Sequence, residues 1–259
     1  MRWRLGTGLA LVMLVATACA GAAGEAALVA GATTSVATTT TTVAVTTTAT
    51  IATATTTTTR AAEPATAATP AAVAAGAGRR VHQQAWSPFA TAGGVVLRHP
   101  ASRVELIGFH QSTLDGAQEL TTLASSAPTA VLEDRERDTG VRTAADVVVD
   151  PDAEIRAPVT GTVLYSGTYV LYCEYSDDFL VIEPDDHPGW EVKMLHIDGV
   201  QVRPGMRVQA AQTVVAPRAT RLPFPSQVDK FTADPAWPHV HVEIDDPNVP
   251  DRPTGPGCP

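Results

Sequence analysis

Trp237-Pro238-His239-Val240-His241-Val242-Glu243-Ile244 reads as a β-strand. Apolar Val240, Val242 and Ile244 alternate with polar His239, His241 and Glu243. That is the period of two that turns successive side chains to opposite faces. His239 and His241 then project side by side, about 7 Å apart along the strand. Two imidazoles so placed can share a metal ion and a reacting water. For an isolated His-x-His, two ordinary exposed histidines are the plainer reading.

The same pattern extends upstream. Strands are expected at Val95–Arg98, Val104–Phe109, Asp146–Val149, Gly161–Tyr165, Tyr169–Tyr172, Phe179–Ile182, Trp190–Leu195 and Thr213–Val215. They are short, rich in β-branched and aromatic residues, and punctuated by Pro, Gly and Asp. Residues 115–125 are the one place for a short helix. The expected fold class is all-β, an antiparallel β-sandwich or barrel.

The N-terminal third has a different character. Met1-Arg2-Trp3-Arg4 is a short basic start, and Leu5 to Ala18 is an uncharged apolar run. Such a run is too short to span a bilayer comfortably and suits a secretory signal peptide over residues 1–20. Ala18-Cys19-Ala20 offers a cleavage site. Val15-Ala16-Thr17-Ala18-Cys19 alternatively offers a lipobox, which would make Cys19 a lipidation site. Either reading places the mature protein outside the cytoplasm, secreted or held at the envelope as a lipoprotein. Residues 21–79 are nearly all Ala, Thr, Val and Gly, with runs at Thr38–Thr42 and Thr55–Thr59. They lack large core side chains and any apolar period, and are expected to be a disordered linker. That leaves 80–259 as a single β domain.

The net charge of −9 argues against a nucleic-acid partner, because no basic stripe is present to neutralise phosphates. Contact with a membrane is expected only through a lipid anchor. If Cys19 carries lipid, Cys173 and Cys258 remain as an even pair in an oxidising space, a disulfide candidate. In the loop-entropy view such a bridge adds ~4 kcal/mol.

Four segments together resemble a known family. Glu154-Ile155-Arg156-Ala157-Pro158-Val159-Thr160-Gly161-Thr162-Val163 is similar to its Pro-Val-x-Ala-x-x-x-Gly-x-Val strand pair. Lys193-Met194-Leu195-His196-Ile197 is similar to its Tyr-x-His-Leu strand. Gly205-Met206-Arg207-Val208-Gln209-Ala210-Ala211-Gln212-Thr213-Val214 and Trp237–Ile244 match its last two segments in order and spacing. The family is the lysostaphin/LytM-type zinc metallopeptidases of bacterial cell walls, whose β domain is the duplicated hybrid motif. The resemblance implies a peptidase-like core over residues 140–246. It also implies Asp146 and His241 as metal ligands, His196 and His239 as the catalytic pair, zinc as cofactor, and peptidoglycan as partner.

The chain departs from the family at the first ligand. The zinc histidine should lie four residues before Asp146, and Arg142 stands there. A guanidinium has no free lone pair and cannot coordinate zinc. Arg142 is therefore expected to replace the ligand, pairing with Asp146 where the cation would sit. His110 and His187 are candidates to restore the set, though both read more simply as surface residues. The longer Pro217–Ala236 segment replaces the family's glycine-rich turn and is expected to reshape the groove.

Smaller signals carry less. Lys193 lies mid-strand, not at a hairpin tip. Glu133–Asp138 reads as a solvated charged loop. Asp177-Asp178 and Asp185-Asp186 are common acidic turns with poor calcium spacing. Three functions remain: a non-catalytic peptidoglycan-binding module or regulator of another cell-wall hydrolase, favoured by Arg142; an active zinc endopeptidase with an altered ligand set; and a surface-display protein.

Overall fold

The computed structural model describes residues 78–83, 85–125 and 127–253. The leader, Cys19, Cys258 and nearly all of the Thr-rich segment lie outside them. The described residues contain no α-helix. They form β1 (His82–Gln83), β2 (Pro88–Ala92), β3 (Val95–Arg98), β4 (Arg103–His110), β5 (Thr121–Thr122), β6 (Thr129–Val131), β7 (Ala144–Val149) and β8 (Ile155–Arg156). After these come β9 (Gly161–Leu171), β10 (Tyr175–Pro184), β11 (Glu191–Asp198), β12 (Arg207–Val208), β13 (Val214–Ala216), β14 (Arg218–Ala219) and β15 (His239–Asp245). The fold is all-β.

The main sheet runs β1-β4-β7-β15-β11-β10-β9-β12, with β6 beside β4 and β14 beside β11. Its pairings are antiparallel except β4 with β6. The sheet is open and does not close into a barrel. Two small sheets, β3-β2-β5 and β8-β13, accompany it. The architecture is therefore sandwich-like. Residues of both small sheets share one apolar core with the main sheet, including Phe89, Leu97 and Ile155.

Alternation sorts the central strands between two faces. Ile107 and Phe109, Val147 and Val149, Val192 and Met194, and Val240, Val242 and Ile244 all enter the main core. The opposite face carries a smaller apolar cluster of Leu106, Ala130, Leu132, Val148 and Val228. Polar residues fill the rest of that face. Glu105, His110, Asp146, His239, His241, Glu243 and Asp245 are all buried. Buried polar groups need partners, so this face demands a hydrogen-bonded network rather than solvent.

Several local expectations are revised. The two strands expected at Gly161–Tyr165 and Tyr169–Tyr172 are one long strand, β9, because Ser166 and Gly167 pair directly with Leu180 and Phe179 on β10. Tyr172 and Cys173, both at positive φ, make the tight turn into β10. Cys173 is disulfide-bonded, and its expected partner Cys258 falls outside the described residues. The helix expected over 115–125 is absent. Gly116 bonds to Asp246 N and Gln118 N donates to Ile244 O, which lays the segment across the end of β15 as extended chain. A side chain at Gly116 would run into the Asp246 backbone. Local propensity yields here to tertiary pairing.

Glycine positions on β9 give a test of this packing. A Cβ on Gly161 would collide with the backbone carbonyl of Glu183, whereas on Gly167 the nearest atom is a Phe179 ring carbon at 3.5 Å. Gly161→Ala is expected to lower stability by about 1–3 kcal/mol. Gly167→Ala is expected to change it by less than about 0.5 kcal/mol. Urea unfolding midpoints of the two variants check this.

Candidate metal centre

Strand register assembles the centre. Asp146 on β7 pairs with Gly108 on β4 and with His241 on β15, and His241 pairs with Leu195 on β11. His110 lies two residues along from Gly108, on the same face of β4. It sits diagonally across from Asp146, within reach of a long side chain. His239 lies two residues before His241 and shares its face.

His196 needs a special device. Leu195 faces the centre opposite His241, so regular alternation would send the next residue into the core. A register shift on β10 between Asp178 and Phe179 accommodates an extra residue on β11. His196 adopts φ of 62°. This bulge keeps both Leu195 and His196 on the outer face. The rings of His196 and His239 end 5.0 Å apart, and those of His110 and His241 lie 5.2 Å apart.

His110 Nε2 and His241 Nδ1 each lie 3.0 Å from Asp146 Oδ1. These three buried residues present ligand atoms within 4.8 Å of one another and could hold a metal ion. Their hydrogen bonds favour this. His110 Nδ1 is 2.9 Å from the Gln111 carbonyl, which can only accept, so that nitrogen carries the proton. In the neutral ring Nε2 then turns a lone pair toward the carboxylate. His241 Nε2 is 3.3 Å from Glu243 Oε2, which likewise leaves Nδ1 facing Asp146. Deprotonated, these two nitrogens and the Asp146 carboxylate converge on one point where a cation could sit, and each imidazole has the outer-shell partner that orients a metal-binding histidine.

In the metal-free chain the same nitrogens donate to Asp146. Burial alone would raise the Asp146 carboxyl, but attraction to His110 and His239, with hydrogen bonds from His110 and His241, holds it well below the usual range. Burial works against charge on His241 too. Hydrogen bonds and attraction to Asp146 and Glu243 outweigh it and raise that ring to about 9. Burial pushes His239 down to about 3, with only Asp146 opposing. Glu243 falls to about 2 despite burial, through its bonds from His241 and Ser112.

Asp177 fixes His196. Asp177 Oδ2 lies 2.6 Å from His196 Nδ1 and accepts from Tyr169 Oη at 2.8 Å. The Asp177 carboxyl is lowered; burial raises it, but the His196 bond dominates the opposing effects. The carboxylate holds the proton on Nδ1 and leaves Nε2 available.

Comparison with family models, curated proteins and solved structures returns no match.

Four sequence candidates, Asp146, His196, His239 and His241, come together as expected. Arg142 does not occupy the ligand position. Among the described residues it makes no ion pair with Asp146, its carbonyl accepts from Leu120 N, and its Nε is buried without a partner. The guanidinium that reaches Asp146 belongs to Arg135, with Nη2 at 3.9 Å from Oδ2. His110, expected at the surface, is 2% exposed and lies beside Asp146. His187 instead stacks on Trp190 at 3.6 Å. Asp185 pairs with Arg207, and Lys193 with Asp245 and Glu191. Asp177, expected in a common acidic turn, instead holds His196. Its role follows from the register that sets it across from Tyr169 on the β9–β10 hairpin.

The Pro217–Ala236 segment covers one side of the centre. With Trp237, Pro238 and His239 it lines a cavity of about 430 Å³. Phe224 packs against Tyr172 and Tyr175 at the β9–β10 turn, both at 5.3 Å.

A proton on His241 in the metal-free chain competes with a cation. With its value raised from 6.5 to about 9, this proton stabilises the metal-free fold fully below pH 6.5, an effect lost as pH rises through about 9. Cation affinity runs the other way. It is expected to strengthen about tenfold per pH unit from pH 7 toward 9 and then level off, which competition titrations across that range check.

Proposed function

We propose that this chain is an exported zinc-dependent peptidase of the lysostaphin/LytM type that cuts peptide bonds in peptidoglycan. One observation carries the reading: His110 completes a His-Asp-His donor set with Asp146 and His241. Two imidazoles and one carboxylate leave a fourth position open, the pattern of catalytic rather than structural zinc. Two protein ligands favour a non-catalytic module, and His110 as a candidate third supports the peptidase reading instead. The likeness of the four sequence segments to the family supports the substrate class.

The residues divide the work. His110, Asp146 and His241 would hold zinc, which when bound supplies an acidified water and polarises a carbonyl. His239, pushed down to about 3, is neutral near pH 7 and placed to hydrogen-bond a developing oxyanion. His196, oriented by Asp177 and Tyr169, offers Nε2 on the neighbouring side. The apolar cluster of Leu132, Val148 and Val228 lies beside the centre on this face. The Pro217–Ala236 wall lies along the His239 side, so the groove's specificity belongs to this chain.

Zinc content of the purified chain, dialysed against trace zinc, tests the reading. About one zinc per chain is expected, as for a single three-ligand site. It is lost in His110→Ala and Asp146→Ala and kept in Arg142→Ala. Release of soluble peptides from peptidoglycan should follow zinc occupancy. An absence of retained zinc would sink the peptidase reading and return peptidoglycan binding without cleavage to first place. Asp177→Asn is expected to keep zinc and slow turnover by about 10–100-fold, read as kcat with the metal content measured alongside.

A further inference from the structure

The Glu133–Asp138 run is not a simple solvated loop. Arg135 and Arg137 are half-buried, while Glu133, Asp134, Glu136 and Asp138 are exposed. Gln111, the residue after His110, gathers both arginines. Its Oε1 accepts from Arg135 N at 2.8 Å and Arg137 N at 3.3 Å, and its carbonyl accepts from Arg137 Nη1 at 2.8 Å. Arg135 Nε donates to Gln227 Oε1 at 2.6 Å. Gln111 thus ties both arginine backbones and the Arg137 guanidinium to the strand of His110, and Gln227 anchors the Arg135 guanidinium near Asp146.

Holding like charges together in a half-buried place is unfavourable without anions. Burial, then repulsion from Arg135, lowers the Arg137 guanidinium, and Glu243 and Asp146 are among the groups that oppose this. Asp146 is the only carboxylate in ion-pair range of Arg135 among the described residues. A divalent cation on Asp146 would take that charge for itself. Arg135 would then face a second positive centre with its nearest anion engaged. Donors also remain. Arg135 Nη1 and Arg137 Nε and Nη2 have no protein partner among the described residues, yet are not buried without one, so they reach solvent. Guanidinium forks of this kind match carboxylate geometry.

We infer that Arg135 and Arg137 form a carboxylate-binding subsite beside the metal centre, which takes a peptide carboxylate lying next to the bond to be cut. The inference rests on the zinc peptidase reading and narrows its substrate class. The enzyme prefers peptides whose carboxylate is free within about one residue of the scissile amide, over amidated or internally extended ones. Arg135 binds the carboxylate directly, and Arg137 sets the local potential and shares the anion.

Binding rather than turnover tests this. The full chain, loaded with zinc, is titrated by calorimetry with an uncleavable ketomethylene Ala-Ala isostere as the free acid and as its carboxamide. The free acid is expected to bind at least about tenfold more tightly, a gap of 1.4 kcal/mol. Arg135→Gln should erase the preference while keeping its zinc, and Arg137→Gln should reduce it. Equal affinity of acid and amide for the zinc-loaded wild type overturns the inference and leaves the peptidase reading standing. A preference that survives in both variants also overturns it. A wild-type chain that retains no zinc overturns both. The wild-type comparison decides the matter even if a variant fails to fold.

Discussion

The carboxylate of Asp146 sets the terms for the rest of the molecule. It sits in mid-strand, buried, between two neighbouring strands. A buried charge costs several kcal/mol unless charge-assisted bonds offset it. His110, His241 and Arg135 provide that offset from three separate parts of the chain. A slip of one residue between β7 and either neighbour would send one partner to the wrong face. The register of β4, β7 and β15 is therefore fixed by this polar cluster as well as by the core beneath it.

The two faces of these strands do different work. Val147, Val240, Val242 and Met194 fill the core. Above them lies a buried polar face that apolar burial cannot stabilise. It is held by paired groups: Ser112 with Glu243, Lys193 with Asp245, and Asp177 with His196. The left-handed turn at His196 breaks the alternation once, at the point where regular geometry would have buried a needed imidazole. Departures from ideal backbone of this kind concentrate at working sites.

Segments between strands finish the centre. Gln227, in the 3₁₀ turn Gln227–Phe231, holds Arg135, and Val228 from the same turn seals the apolar cluster over Gly108. A side chain at Gly108 would meet Val228 and Leu132, so close packing excludes anything larger there. The Pro217–Ala236 stretch and the Glu133–Asp138 loop thus cooperate through Gln227. Neither carries a regular apolar period, and both gain their order from the sheet they cover.

The sequence alone determined the strands with clean alternation, the shared face of His239 and His241, and the all-β class, because a period of two is a local property. Resemblance of motifs added Asp146 and His196. What it could not settle was the third member of the His-Asp-His group, since His110 was one candidate beside His187. Spacing along the chain pointed to Arg142, four residues before Asp146, whereas His110 comes from 36 residues away on an adjacent strand. Asp177 and Arg135 were hidden in charge-rich runs for the same reason. Only the pairing of β4 with β7 and the bulge on β11 decide which distant side chains meet. Those contacts depend on the register that the buried Asp146 imposes.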